Sequence, residues 1–342
     1  MKHGPGGRSS SSGHTATVFG ATGFLGRYLV AQLAKQGTQV VVPYRDDFSK
    51  RHLKVNGDLG QISMMEFDLR NRQCIEESVK HSNIVYNLIG RDYETKNFSF
   101  DAVHHQATQR IAEACAKYDV DRFVQVSAIG ADENSPSQFL RTKALAEKAA
   151  TNIYPETTIV RPAAMYGLED RFMNSLATAT TLLTTNHMNE IVRPTYVRDV
   201  ARALESMMHN DETTGQLYEL HSQQAFKVSE ICDMISEITL KEPRHYNVPK
   251  VVLQSMAKVL EKVLWWNIIG ADEIERQSID EKLTPGAKGY KDLGIDAQEL
   301  NMQTMKYLRM YRSNTYYSAP LDGTEGKIRR GPDGKIILHV TD

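Results

Sequence analysis

Between Thr15 and Pro162, short runs of β-branched and aromatic residues alternate with longer stretches whose apolar positions recur at helical spacing. Six runs predict strands: Ala16–Phe19, Gln39–Pro43, Ile62–Phe67, Ile84–Leu88, Phe123–Val126 and Thr158–Val160. Leu25, Tyr28, Leu29 and Leu33 mark one face of a helix that Gly37 stops, and further helices are expected near 72–81, 101–118 and 137–152. Strand and helix in strict turn is the pattern of βαβ units, so the predicted fold class is α/β, a Rossmann-like doubly wound parallel sheet.

After Pro162 the alternation loosens. A strand-like run, Gln216–Leu220, lies among helices expected at Val197–Met208 and Val228–Leu240. This reads as a smaller C-terminal, substrate-side subdomain packed against the sheet. From about Ser313 the chain is rich in Gly, Tyr and Pro and has no helical period, as an extended C-terminal arm would be. The expected organisation is therefore a flexible basic N-terminus over 1–14, a Rossmann domain over 15–165, a mixed α/β subdomain over 166–312 and the arm over 313–342.

The strongest chemical signal is Gly20-Ala21-Thr22-Gly23-Phe24-Leu25-Gly26, which follows an apolar strand and opens an amphipathic helix. Glycines at this spacing permit a tight turn and close backbone approach, so that a pyrophosphate can sit on the unpaired N–H groups of the helix start. Thr22, Phe24 and Leu25 ride on the same turn. About 20 residues on, where an acid would accept a ribose 2′-hydroxyl, the chain instead reads Val42-Pro43-Tyr44-Arg45. A guanidinium there suits a 2′-phosphate, so NADP(H) is expected, although Asp46 and Asp47 beside it leave open a merely solvated arginine. Asp68 with Leu69, and Leu88-Ile89-Gly90, end the next two strands on the same side and are expected to flank adenine and phosphates.

Composition narrows the partners. The 342 residues carry 41 Lys plus Arg against 42 Asp plus Glu, a net charge of −1, which gives no reason to expect a nucleic-acid partner. No acidic residue precedes Asp46, and with Lys2, Arg8 and the run Ser9–Ser12 this fits the remnant of an import segment or a flexible terminus. Three isolated cysteines, Cys74, Cys115 and Cys232, argue for a reducing compartment and against a zinc or disulfide framework. No stretch reaches the roughly 20 apolar residues that span a bilayer, so the chain is soluble or at most peripheral. Adjacent His104 and His105 make a poor metal pair on a helix and are read as capped or surface residues. The hydrolase and P-loop signatures H-E-x-x-H, G-x-S-x-G and G-x-x-x-x-G-K are missing from the sequence.

Taken together, Gly20-x-x-Gly23-x-x-Gly26, Arg45, Asp68-Leu69, Ser127-Ala128, Lys143 and Arg161-Pro162 resemble an extended or atypical short-chain dehydrogenase/reductase over roughly residues 15–310. The run Ala16–Tyr28 followed by Pro43-Tyr44-Arg45 is similar to the NADPH-binding accessory subunits of mitochondrial respiratory complex I. That resemblance implies an NADPH (NADP) cofactor with Ser127, Lys143 and Pro162 in its site. It also implies other complex I subunits as partners, a peripheral place on the matrix side of the inner membrane, and a role in assembly or stability of the complex.

Catalytic members of the superfamily place a Tyr four residues before a Lys, whose charge lowers the phenol pKa for proton donation. This chain reads Phe139-Leu140-Arg141-Thr142-Lys143: the lysine is kept and the phenol is gone, so no catalytic residue is expected. Lys143 is left either to bind the nicotinamide ribose or to be an ordinary exposed helix lysine. Tyr246 and Lys250 repeat the spacing, but Pro249 between them argues against a shared helix face. Val252, Met256, Val259, Leu260, Val263 and Leu264 form an apolar stripe beside Lys250, Lys258 and Lys262, ending in Trp265-Trp266. By itself the stripe suits packing on its own domain or an outward contact; the resemblance implies a partner or membrane contact through 250–269. Two other functions stay open on the residues: an active NADP-dependent reductase or epimerase using water or Ser127 as donor, and a nucleotide-dependent redox-sensing binding protein.

Overall fold

The computed structural model describes residues 11–241, 243–263, 270–312, 329–330 and 336–337. Strand β1 (Thr15–Phe19) turns into helix α1 (Phe24–Lys35), followed by β2 (Gln39–Tyr44), β3 (Ile62–Glu66), α2 (Arg72–Val79) and β4 (Ile84–Asn87). Helix α3 (Ala107–Lys117), β5 (Arg122–Val126), α4 (Gln138–Ile153) and β6 (Thr158–Pro162) complete the regular alternation. The second half adds β7 (Met165–Tyr166), α5 (Phe172–Thr178), β8 (Thr181–Thr184), β9 (Ile191–Val192), β10 (Thr195–Tyr196), α6 (Val197–Ser206) and β11 (Leu217–Leu220). Then come β12 (Phe226–Lys227), α7 (Val228–Thr239), β13 (Arg244–Asn247), α8 (Lys250–Val263), α9 (Ala271–Gln277) and α10 (Leu300–Leu308).

Seven parallel strands form one sheet in the order β11-β6-β5-β4-β1-β2-β3. Its strand order reverses between β1 and β4, which opens a crevice outside their carboxyl ends. Alternation along the strands feeds two layers, as the period-2 pleat requires. Ala16, Val18, Ile84 and Val124 meet Leu29, Leu33, Val200 and Leu204 of α1 and α6. On the opposite face Phe19, Val85 and Phe123 meet Ile75, Ile111 and Cys115 of α2 and α3. Each fully buried aliphatic side chain stabilises the fold by about 2 kcal/mol. These two layers hold the strand ends, and hence the crevice, rigid.

The seventh strand, Leu217–Leu220, and helix α6 come from the 166–312 stretch, so residues 15–165 do not complete the sheet by themselves. The rest of that stretch has its own small core of Tyr166, Met173, Ile231, Ile235, Leu300 and Leu308. The helix expected over 101–118 opens with one π turn, Ala102–Gln106, before α3 begins. Thr108 Oγ1 donates to the His104 carbonyl at 2.7 Å, a side-chain bond of the kind that competes with the helical ladder. Residues 1–10 of the basic N-terminus and most of the 313–342 arm lie outside the described residues; within the arm, Arg329–Arg330 pairs antiparallel with Ile336–Ile337.

Candidate dinucleotide site

The turn between β1 and α1 leaves no room for side chains. Gly20 has φ +78°, and a Cβ there would stand 3.0 Å from the carbonyl carbon of Leu88 at the end of β4. A Cβ on Gly26 would come within 2.5 Å of the Gly20 carbonyl oxygen, so this glycine lets α1 press onto the turn. Gly23 donates its N–H to the Gly20 carbonyl at 3.0 Å and caps α1 without a side-chain bond. No acidic residue lies in the first helical turn. The amides of Phe24, Leu25 and Gly26 are thus left for an anion at the positive end of the helix. Leu25 is buried under the sheet, Thr22 is half-buried, and the Phe24 ring meets Tyr28 edge-on at 5.9 Å.

At the ends of β2 and β3 the acidic neighbours of Arg45 are engaged elsewhere. Asp46 accepts the N–H and hydroxyl of Ser49 at 3.0 and 2.6 Å, bonds that lower its pKa. Asp47 pairs with Lys50 at 2.6 Å and with Arg51, and is lowered by them. Lys50 also lies 3.6 Å from the centre of the Tyr44 ring. Arg45 is left exposed at the strand end, where a 2′-phosphate would be met. Asp68 turns its carboxylate onto the Arg70 N–H at 2.9 Å, and the Leu69 carbonyl accepts from Arg110. Both thus shape the turn that follows β3.

The loop after β4 and the end of β5 converge on Lys143. Its ammonium donates to the carbonyls of Ile89 at 3.4 Å and Val126 at 3.3 Å, and a Cβ on Gly90 would lie 3.2 Å from it. Lys143 is buried, not an exposed helix lysine, and burial pushes its pKa down to about 8 against the raising influence of Asp92 and Glu147. Ser127 donates its N–H to the Val160 carbonyl, while its buried hydroxyl has no partner among the described residues. Pro162 ends β6, its carbonyl taken by the N–H of Ile129. A turn that excludes side chains, a helix start without its own anion and an orphaned hydroxyl beside a buried ammonium fit a nicotinamide dinucleotide.

On α4 the four-residue spacing puts Phe139 and Lys143 on one face, with the Lys143 nitrogen 5.9 Å from the ring centre. His104 lies edge-on to Phe139 at 5.1 Å, and the Arg276 guanidinium lies 4.4 Å from the same ring. No proton can leave this ring. The surface reading of His104 is corrected here: it is buried, because the π turn directs it inward against Phe100 and Phe139. Its Nε2 accepts the Arg91 N–H at 3.2 Å, which leaves the proton on Nδ1 to donate to Thr142 Oγ1 at 2.9 Å. Burial first, then the Lys143 charge, pushes its pKa down to about 2, so it stays neutral.

Sequence reasoning did not find His104, Asp92, Asp272 or Arg276 near this site; a π turn and tertiary ion pairs leave no local spacing signal. Tyr246 lies on strand β13, exposed, while Lys250 begins α8 and pairs with Glu275, so the alternative Tyr/Lys pair is not assembled. On α8, Leu253 and Ala257 bury against Ile274 of α9. The stripe of Val252, Met256, Val259 and Val263 instead faces outward, 55%, 43%, 61% and 74% exposed. Residues 264–269, including Trp265-Trp266, lie outside the described residues. None of the described helices is long and apolar enough to cross a membrane.

Comparison with known proteins agrees with this geometry. The profile of the NAD dependent epimerase/dehydratase family matches residues 16–220. The mitochondrial NADH-ubiquinone oxidoreductase 40 kDa subunit of Neurospora crassa is 55% identical over 315 residues, covering 92% of this chain and 84% of that protein. In Arabidopsis thaliana, the mitochondrial NADH dehydrogenase [ubiquinone] 1 alpha subcomplex subunit 9 is 39% identical, covering 91% and 81%. Among solved structures, MoeE5 in complex with UDP-glucose and NAD shares the fold, with a TM-score of 0.66 at 20% identity, covering 86% of this chain and 99% of that one.

Proposed function

This chain belongs to the NAD dependent epimerase/dehydratase family, and from that premise we propose that it is a non-catalytic accessory subunit of mitochondrial complex I that holds NADP(H). The observation that carries the reading is Phe139 where a proton donor would stand, beside a buried Lys143 and an intact glycine turn. A bound nicotinamide supplies hydride chemistry, which needs a partner proton that this ring does not hold. The amides opening α1 hold the pyrophosphate, Arg45 meets a 2′-phosphate, and Lys143 and Ser127 hold the nicotinamide ribose. A ligand that binds the folded chain alone stabilises it by about 4 kcal/mol at a thousand times its Kd. The nucleotide thereby serves assembly or stability of the complex without turnover.

The outward stripe of α8 supports contact with neighbouring subunits or with the matrix-side surface of the inner membrane. An exposed apolar row on a helix whose other face packs on α9, with Lys258 exposed beside it, suits such a boundary. Affinity purification through a tag on this chain, in mild detergent, tests the assignment. Recovery of the whole complex, with no NADPH oxidation by a carbonyl screen, is expected. A free soluble monomer that turns over NADPH with a carbonyl substrate would overturn it and favour a reductase that uses Ser127 or water as donor.

A further inference from the structure

Residues 271–284 run from the start of α4, past the Phe139 ring, to β9 and β11. At one end Asp272 caps α4, accepting from the Ser137 hydroxyl at 2.9 Å and from the N–H groups of Gln138 and Phe139 at 2.6 and 3.1 Å. Arg276 covers the Phe139 ring and pairs with Asp92 at 3.2 Å, two residues beyond Gly90. Ile279, itself half-buried, packs against the cluster of Phe100, Phe139 and Leu140, beside the position that a phenol would occupy. At the other end Glu281 accepts the Arg193 N–H at 2.6 Å, and its own N–H donates to the Ile191 carbonyl. Thr284 then bonds Glu219 of β11 at 2.6 Å.

We propose that residues 271–284 are a built-in occupant of the substrate cleft, a strap that seals the nicotinamide end and traps the dinucleotide. The anchors are distributed across α4, the loop after β4, β9 and β11, so the strap ties together the elements that surround the nucleotide. The start of α4, with its two N–H groups, and the Phe139 face, both features that could bind substrate, are already satisfied from within the chain. The strap also carries α9, against which α8 packs, so its position sets that of the outward apolar stripe.

This inference rests on the proposed nucleotide site, and two measurements keep the claims apart. The first follows release of bound NADP(H) into excess labelled NADPH from the assembled complex. The doubly substituted Arg276→Ala, Ile279→Ala chain should release at least tenfold faster than the unsubstituted one. A Lys282→Ala control, at an exposed strap position, should not change the rate. Unchanged release in the double variant overturns the strap. The second compares maleimide labelling of Ile279→Cys and Leu283→Cys in a Cys74→Ser chain. Position 279 should react at least tenfold more slowly than 283, and equal rates overturn the strap even if the double variant fails to fold. A complex that yields no nucleotide refutes the nucleotide reading instead, and the labelling then judges the strap by itself.

Discussion

At the residue scale, the consequences centre on two buried bases. His104 is held neutral, its pKa pushed down from 6.5 to about 2 by burial. The unfolded chain takes up a proton below pH 6.5 while the folded chain does not, so stability is complete above pH 6.5 and falls as pH drops toward 2. Between pH 6.5 and 5 the loss should be about 2 kcal/mol, and His104→Gln should flatten it in urea denaturation series. Lys143 titrates at about 8 against 10.5, so the unfolded chain binds the extra proton between those values and stability rises with pH across that window. Lys143→Met should stabilise the nucleotide-free chain at pH 7 by about 2 kcal/mol and weaken NADP(H) affinity at least tenfold, read by melting with and without nucleotide. Lys143 was legible as a candidate from its spacing to Phe139, but its burial was not, because the carbonyls it meets belong to the loop after β4 and to β5. His104 was misread for the same reason: helix spacing says which residues share a face, not which face a π turn brings inside.

At the scale of elements, α4 is bound to the sheet by charge as well as by packing. Arg161 of β6 donates to both carboxylate oxygens of Glu147 on α4, at 2.9 and 2.6 Å, and meets Glu219 of β11 at 3.4 Å. Both carboxylates are buried and the guanidinium is mostly so, so truncating one partner leaves a charge without its counterpart. Arg161→Leu should cost about 3–5 kcal/mol in chemical denaturation and expose the Lys143 end of α4 to hydrogen exchange. On α8 the expectation reverses. Val259→Asp lies on the outward stripe, so it should change isolated-chain stability by less than about 0.5 kcal/mol. Association with the complex, followed by native electrophoresis, should nevertheless fall sharply. Strand and helix positions in the first half were legible because each element carries its own period. The outward turn of the Val252–Val263 stripe was not, since Leu253 and Ala257 are equally apolar and only α9 decides which side is covered.

For the whole molecule, one sheet gathers sites that lie far apart in the chain. Gly20, Leu88, Ser127 and Pro162 end β1, β4, β5 and β6, and the parallel order brings those ends to one edge. That convergence was legible, because a doubly wound sheet places every βα turn on one side. The return of Leu217–Leu220 as a seventh strand, and the strap over the cleft, depend on long-range pairing that local spacing does not encode. The account stands on a dinucleotide kept in place for structure. Its most direct test is to incubate the detergent-purified complex with labelled NADPH, denature it, and identify the nucleotide released. One NADP(H) per chain that has not exchanged with the label is the predicted result; no nucleotide, or rapid exchange with steady NADPH consumption in the presence of carbonyl compounds, would contradict it.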